Sequence, residues 1–383
     1  MSSKNATPSY TSTIKFDDGA VQFRLRLALS LLSHRTVLIR NIRSDDVEEP
    51  GLRDYEVSFL QLLDNMTNGS HIEINSTGTQ VRFRPGILTG GYIQHECPQS
   101  RSVGWFLEGL LPLTPFGKEA LTLDLTGMTN GTSHLDPSPD YIISSIIPLL
   151  RDTFEIVGEE AADIPHLKVL ERGAAPLGVG RVELYCPRIK ELTTPIDMTD
   201  VGMVKRVRGT VVSCRIPPSS AARAAHSAKG LLHRLIPDVW IHTDTNSNRK
   251  SNTSPGMSIS MSAETNTGCF LTAETCLPIH KTKTVLPEDL GVRASALLLE
   301  EIRKGGSIDT HAQSLVLLLM CLGPEGDVTR IRTGALSEYT VSSLRLYKHV
   351  LGVEFKLRPD TETQTIVLSC LGSGYRNMAR TST

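Results

Sequence analysis

One order of predicted elements occurs repeatedly along this chain and restricts its fold more than any other feature. Apolar spacing over roughly the first 90 residues gives a strand, an amphipathic helix, a strand, a second helix and a pair of strands. The same order begins again near residue 92, and a related order follows residue 286. We therefore expect three repeated α/β units that share structure rather than sequence. Their predicted helices are Val21–Leu32, Leu52–Leu63, Ser102–Leu111, Tyr141–Leu150, Ala294–Lys304, Ala312–Cys321 and one capped by Ser337.

The segment between residues 187 and 285 has a different pattern of predicted elements. It combines an alanine-rich helix with four strand patterns and is flanked by Pro187 and Pro287. We predict a small inserted α/β domain at 187–285, which divides the main body into residues 1–186 and 286–383. Its predicted elements are Val204–Arg215, Ser219–Ile236, Val239–Thr243, Met257–Met261 and Gly268–Ala273.

Composition indicates a globular chain. Apolar residues make up 39% and charged residues 21%, and no apolar run reaches the roughly 18 residues of a membrane span. The N-terminus has no apolar stretch typical of a signal peptide, so we expect the protein to stay inside the cell. The seven scattered cysteines form no C-x-x-C pair, which predicts reduced, mostly buried thiols and no zinc site.

The net charge of −1, from 40 basic and 41 acidic residues, excludes a global attraction to nucleic acid. Any RNA contact must come from a local patch or a partner. The inserted domain offers one such patch, which could equally be a solvated strand edge. Its basic residues are Lys205, Arg206, Arg208 and Arg215, with Arg249 and Lys250 farther on.

The stretch Leu336–Thr340 is the main candidate site. Ser337 can cap the following helix, and the positive end of a helix dipole attracts phosphate. Tyr339 stands on this first turn. Nearby, Arg330 and Arg332 alternate on a strand and so point to one face, where an anion, a carboxylate or water could meet them.

Other candidates have plainer interpretations. Asp18–Ala20 before Arg26 could face phosphate or be an ordinary turn, and Arg43 could pair with an anion or be a solvated loop charge. His311 and Gln313 begin an apolar helix, where a lone histidine is usually structural.

Short stretches over nearly the whole chain match one known family. On these residues the chain resembles the RNA 3′-terminal phosphate cyclases, and within them the eukaryotic cyclase-like branch of ribosome assembly. The stretches are Asp18–Ala20, Ile42–Arg43, Pro50–Leu52, Phe83–Gly86, Gly90–Gly91, Pro176–Gly180, Arg208–Gly209, Gly306–Asp309 with Gln313, Ile308–Met320, Leu322–Glu325, Arg330–Arg332, Leu336–Thr340 and Gly372–Tyr375.

The resemblance implies an α/β (α+β) fold of three split β-α-β units around a common axis, with a smaller α/β domain inserted before the last unit. It also implies a chemistry. In the true cyclases a histidine at the last-helix position attacks ATP, and the adenylate passes to the RNA 3′-phosphate before the 2′-hydroxyl closes the ring.

Four departures from that pattern predict a protein without cyclase activity. Tyr339 stands at the nucleophile position, and a phenol with a pKa near 10 is only about one part in a thousand ionised near neutral pH. The glycine-rich loop is shortened to 20–22, the acidic residue next to Gln313 is Ala312, and a small-residue loop is replaced by the bulkier 98–102.

The function implied by the resemblance is non-catalytic. We expect an assembly factor of the small ribosomal subunit in the nucleolus, a monomer within a hetero-complex, with no cofactor, metal or membrane. Its expected partners are a nucleolar ribosome-assembly GTPase, pre-rRNA and components of the small-subunit processome. The residues expected to bind an anion of RNA or partner are Arg26, Arg43, Arg84, Gln313, Arg330 and Arg332, with Lys205, Arg206 and Arg208 as an RNA-facing set in the insert.

Two enzymatic alternatives remain open from the sequence. An endonuclease cutting pre-rRNA would need an acid–base pair, for which His311 with Asp327 or Arg330 is the local set. Residual ATP-dependent cyclisation is the other alternative.

Overall fold

A computed structural model describes residues 13–130, 136–160, 162–246, 254–277 and 285–380. The chain divides into two compact units, an N-terminal unit of Met1–Thr89 and a C-terminal unit of Gly90–Thr383.

The N-terminal unit contains one four-stranded sheet with the order β1-β2-β5-β4. β1 and β2 run parallel, and the other pairs are antiparallel. Side chains of α1 and α2 supply much of its core, including the fully buried Leu27, Leu29 and Phe59. The elements are β1 Ile14–Phe16, α1 Phe23–Ser33, β2 Val37–Ile39, α2 Asp54–Met66, β3 Thr67–Asn68, β4 His71–Ile74, β5 Val81–Arg84 and β6 Ile87–Leu88, with β3 paired to β6.

The C-terminal unit repeats the same strand arrangement twice. In both sheets the first two strands run parallel, and the remaining pairs are antiparallel. The second sheet, β7-β8-β10-β9, comprises Gly91–Glu96, Leu121–Gly127, Gly180–Cys186 and His166–Glu171. Its helices are α3 Val103–Leu110 and α4, which begins at Pro139–Tyr141 and continues through the π-helical turns Ile142–Ile146 and Leu149–Thr153.

The third sheet has the order β11-β16-β18-β17. Its strands are Asp197–Met198, Val328–Thr333, Thr365–Leu371 and Lys356–Asp360, and its helices are α7 Gln313–Leu322 and α8 Glu338–Leu351. Three sheets with one strand order confirm the predicted mixed α/β repeat.

One strand of the third sheet, β11, falls within the predicted limits 187–285 of the insert. It precedes the insert's own sheet in the chain and pairs with β16, which follows that sheet. A two-residue strand has too few side chains for a recognisable pattern, so β11 was not predicted.

The insert has a four-stranded sheet, β13-β12-β14-β15, with two helices on one face. α5 and α6 approach closely at Gly291, where a Cβ atom would lie 2.2 Å from the Ala224 carbonyl oxygen. Leu290, Ala294 and Leu298 of α6 belong to this core, so α6 packs with the insert rather than with the third sheet. The limits 187 and 285 stay a prediction, and this packing favours a later second limit. The elements are β12 Val204–Cys214, α5 Pro218–Leu232, β13 Val239–Asn246, β14 Gly256–Thr265, β15 Phe270–Cys276 and α6 Pro287–Arg303.

All seven cysteines are free thiols, buried except for the half-buried Cys276, as predicted. Among the residues that the structure describes, no helix is both long and apolar enough to cross a membrane.

Candidate functional site

The N-terminus of α8 is built as the sequence predicts, with Ser337 as its cap. The Ser337 hydroxyl accepts a hydrogen bond from the Thr340 backbone N–H at 3.1 Å. Behind it lies Gln313, which is 1% exposed. The Gln313 Oε1 atom accepts from the Ser337 N–H at 3.3 Å and the Thr340 hydroxyl at 2.9 Å, and Nε2 donates to the Ala335 carbonyl at 3.2 Å. The Gln313 amide therefore fixes this turn from inside.

Tyr339 is the second residue of α8 and is 42% exposed. Its backbone carbonyl accepts from the hydroxyls of Ser342 and Ser343 at 3.0 and 2.8 Å. This turn presents the Tyr339 phenol to solvent.

Arg26 and Arg43 of the N-terminal unit both make hydrogen bonds within the protein. Arg26 is 4% exposed, donates to the Asp18 carboxylate at 2.6 Å and the Gly19 carbonyl at 3.0 Å, and covers the Phe16 ring. Its guanidinium shapes the turn before α1.

Arg43 forms a two-pronged ion pair with Glu56, with both N–O distances 2.7 Å. It also donates to the Gly51 carbonyl at 3.0 Å. Glu56 is almost fully buried, and its hydrogen bond raises the pKa of the Arg43 guanidinium. The same carboxylate accepts from the Arg53 N–H at the start of α2, so Arg43 joins the loop before α2 to that helix. Arg84, at the end of β5, is exposed.

Arg330 and Arg332 share one face of β16, as their alternation predicts, yet differ in environment. Arg330 is 53% exposed, with its Nη1 atom 3.6 Å from the Asp197 carboxylate. Arg332 is 21% exposed and donates to Asp360 at 2.7 Å, to two threonine hydroxyls and to the Thr199 carbonyl. Its guanidinium lowers the pKa of Asp360 to about 2. Both arginines line an open basin of about 1310 Å³.

The predicted basic set of the insert also divides. Lys205 is exposed, whereas Arg206 pairs with Glu264 at 2.6 Å and Arg208 forms two hydrogen bonds of 2.8 Å with Asp238. Arg215 is exposed as well. Arg249 and Lys250 lie outside the described residues.

A second cavity, of about 370 Å³, was missed from the sequence. It brings His311 together with Glu274 of β15 and Lys304 at the end of α6. Glu274 accepts from the Ser138 N–H at 3.0 Å, and burial raises the pKa of its carboxyl to about 7. Arg330 lines the other basin, and the carboxylate residues that line the cavity with His311 are Asp136, Glu274, Glu300 and Glu301. His311, Glu274 and Lys304 come from separate segments that meet only in the folded chain. The strand pattern of β15 was the one sequence signal that could have indicated the position of Glu274.

Asp309 lies next to this cavity as a fully buried carboxylate. It accepts from the hydroxyls of Tyr141 and Ser145 at 2.8 and 2.9 Å, and from the Ala312 N–H at 2.9 Å. Burial raises its pKa and raises that of Tyr141 well above the usual value. This network connects α4 to the turn before α7.

The bulky loop at 98–102 also reaches the cavity wall. Arg101 donates to Asp136 at 2.8 Å, and the Asp136 side chain has no exposed surface. Within the described ranges, no group of three or more His, Cys, Asp or Glu side chains is arranged to hold a metal ion.

Comparison with known proteins agrees with the fold. The profile of the family "RNA 3'-terminal phosphate cyclase" matches residues 16–357. The "Probable RNA 3'-terminal phosphate cyclase-like protein" of Dictyostelium discoideum is 43% identical over 96% of this chain and 100% of the relative. The human "RNA 3'-terminal phosphate cyclase-like protein" is 44% identical over 94% and 95%, respectively. The "rRNA processing protein rcl1" of Schizosaccharomyces pombe is 40% identical over 97% and 99%. The chain therefore belongs to the RNA 3′-terminal phosphate cyclase family, as the resemblance of its short stretches predicted.

Proposed function

We propose that this protein is a non-catalytic member of its family that acts in pre-rRNA processing and assembly of the small (40S) ribosomal subunit. The observation that carries this proposal is the match to a relative named as an rRNA processing protein over nearly all of both chains. An exposed phenol on the α8 turn supports the non-catalytic part, because a neutral phenol is a poor nucleophile near pH 7.

The finer parts of the proposal follow the resemblance. The protein would work in the nucleolus, within the small-subunit processome, and in a hetero-complex with a ribosome-assembly GTPase. Anion contact with RNA or partner is proposed for the six-residue set of the sequence. Of that set, Arg84 and Arg330 are the side chains most exposed to solvent, and the others brace the fold as well.

Depletion of the protein from cells tests the function. We expect precursors of the small-subunit rRNA to accumulate while the large-subunit rRNA is made normally. Cells rescued with the full chain should recover, and the tagged chain should co-purify with a GTPase and pre-rRNA. Unchanged rRNA precursors after depletion would contradict the proposal.

Endonucleolytic cleavage is a second candidate, favoured by one observation. Glu274 has a pKa of about 7 and shares a cavity with His311, which places a carboxyl able to exchange protons near neutral pH in the same cavity as an imidazole. Purified protein incubated with a pre-rRNA fragment tests this function. Cleavage that is lost in Glu274→Gln and retained in Glu48→Gln, which changes an exposed glutamate outside the cavity, would establish it. Intact RNA over a range of pH and metals would eliminate it.

A further inference from the structure

The insert contains a basic segment that the proposed function has not used. Residues 201–237 include no aspartate or glutamate, although the whole chain has a net charge of −1. The lysines and arginines of this segment are Lys205, Arg206, Arg208, Arg215, Arg223, Lys229 and Arg234. Three of them pair with carboxylates from outside the segment, namely Arg206 with Glu264, Arg208 with Asp238 and Arg223 with Glu288. The attraction for a polyanion therefore rests on the remaining cations, Lys229 among them.

α5 turns one stripe of this segment towards solvent. The exposed His226 and His233 and the half-buried Lys229 recur at helical spacing, whereas Ala221, Ala224, Ala225, Ala228 and Leu232 are buried. Gly230 is exposed on the same helix, and a Cβ atom added there would meet none of the described residues within 4 Å. Glycine destabilises a helix interior relative to alanine, and packing against the described part of the chain does not require it here. A missing side chain on an exposed stripe lets a ligand approach the backbone.

Trp240 lies next to this stripe on β13, an edge strand of the insert sheet. It is 63% exposed, and the Lys229 ammonium lies 5.6 Å from its ring centroid. The same side chain lines a pocket of about 250 Å³ with Arg208 and His242. Arg208 is the register partner of Trp240 on β12. The indole therefore lies between the Lys229 ammonium and a polar pocket.

We propose that this edge, formed by Lys229, Trp240, His242 and Arg208, binds single-stranded RNA. This site rests on the proposed function in so far as pre-rRNA is the RNA present. A base stacks on the Trp240 ring, as bases do on exposed aromatic side chains of single-strand binders. Lys229 is the principal phosphate contact, because the Arg208 guanidinium already holds Asp238.

Charge and shape together favour RNA over an acidic protein segment. An acidic peptide would use the cations but gain little from an indole ring, whereas every base has a face that stacks. A base-paired helix is disfavoured, since its bases are stacked within the duplex and cannot reach the ring.

Binding of a fluorescent 12-nucleotide oligouridine to the full chain, followed by anisotropy, tests the site. We expect Trp240→Ala to weaken binding by about 5- to 100-fold and Trp240→Phe to keep most of the affinity. Lys229→Ala should reduce the slope of log affinity against log salt by about 0.7. Lys348→Ala, which removes a 65% exposed lysine from α8, is the matched charge control and should bind as the wild type does.

Tryptophan fluorescence gives a readout that a folding defect would not mimic. The chain has two tryptophans, and Trp105 is 6% exposed. Quenching on addition of the oligouridine should therefore come from Trp240 and disappear in Trp240→Phe, while that variant still binds RNA.

Equal affinities of wild type and Trp240→Ala would overturn the proposal. So would displacement of the oligouridine by a 12-residue oligoglutamate at the same concentration, which would identify an acidic segment as the ligand. Either result would leave the rRNA phenotype of depleted cells unaffected. Conversely, normal rRNA after depletion would remove the proposed function without changing the binding measurement.

Discussion

At the scale of single residues, an arginine that matches the family pattern can pair with a carboxylate inside the fold instead of binding an external anion. Arg43 lies in one of the stretches that match the family, and in the structure it pairs with the buried carboxylate of Glu56. A buried charge that loses its partner is strongly destabilising. The same side chain cannot be removed to test anion binding without changing the fold.

Arg43→Ala should accordingly lower the free energy of unfolding by about 2–4 kcal/mol, because Glu56 is left buried and unpaired. Equilibrium urea unfolding measures this loss. Arg84→Ala is the control, since Arg84 is an exposed arginine of the same unit and its removal should change stability by less than about 0.5 kcal/mol. Equal losses in both variants would show that the ion pair does not stabilise the unit.

Glu274 predicts a pH dependence of stability. Its folded-state pKa of about 7 exceeds its ordinary value of 4.5, so the folded chain binds an extra proton between these values. The free energy of unfolding therefore falls as pH rises through this window and levels off above it. Glu274→Gln removes this contribution. The free energy of unfolding of the variant minus that of wild type should therefore increase by roughly 2–3 kcal/mol from pH 4.5 to pH 8. Urea unfolding at several pH values checks this, and parallel stability curves would contradict it.

At the scale of elements, the α8 N-terminus depends on its cap. Ser337→Ala removes the acceptor of the Thr340 N–H and should cost about 1 kcal/mol. Ser342→Ala is the matched control, because that hydroxyl only donates to a carbonyl of the same helix. Thermal unfolding of the two variants should show a lower midpoint for Ser337→Ala alone, and a shared shift would argue against the cap.

Element prediction was accurate where periodicity is long. The sequence placed helices α1, α2, α3, α5 and α7 within a few residues of their observed limits and placed the start of α8 at Ser337, because each contains a recurring pattern of apolar residues. It missed the π-helical turns of α4, since an isoleucine-rich run has no single face that specifies its pitch. It assigned α6 to the third repeat, because apolar spacing does not say which neighbour a helix packs against.

The candidate site was less predictable than the fold. The Ser337 cap was found because a cap is local in sequence. The inward role of Gln313 and the meeting of Glu274 with His311 depend on side chains from distant segments, which spacing cannot bring together. Basic residues were identifiable, but whether each meets a carboxylate or solvent was decided by tertiary contacts.

At the scale of the whole molecule, catalysis needs several parts of the chain at once. The turn before α1 is braced by Arg26 and Asp18, the α8 turn by Gln313, and the second-repeat loop by Arg101 and Asp136. In each case a polar side chain is hydrogen-bonded to a residue of the same unit. A nucleophile placed on one of these turns would still lack the full-length glycine-rich loop and the acidic residue that the resemblance implies at the positions of residues 20–22 and Ala312.

Tyr339→His should therefore not restore self-adenylation, even though an imidazole is a competent nucleophile near pH 7. Tyr339 is 42% exposed, so the substitution fits the α8 turn without repacking the core. Incubation of wild type, Tyr339→His and Tyr339→Phe with ATP radiolabelled in the α-phosphate, followed by gel electrophoresis, measures covalent adenylate. We expect no labelled protein in any of the three. A label in Tyr339→His alone would show that the nucleophile was the one missing part, and a label in wild type lost in Tyr339→Phe would make the tyrosine itself the acceptor.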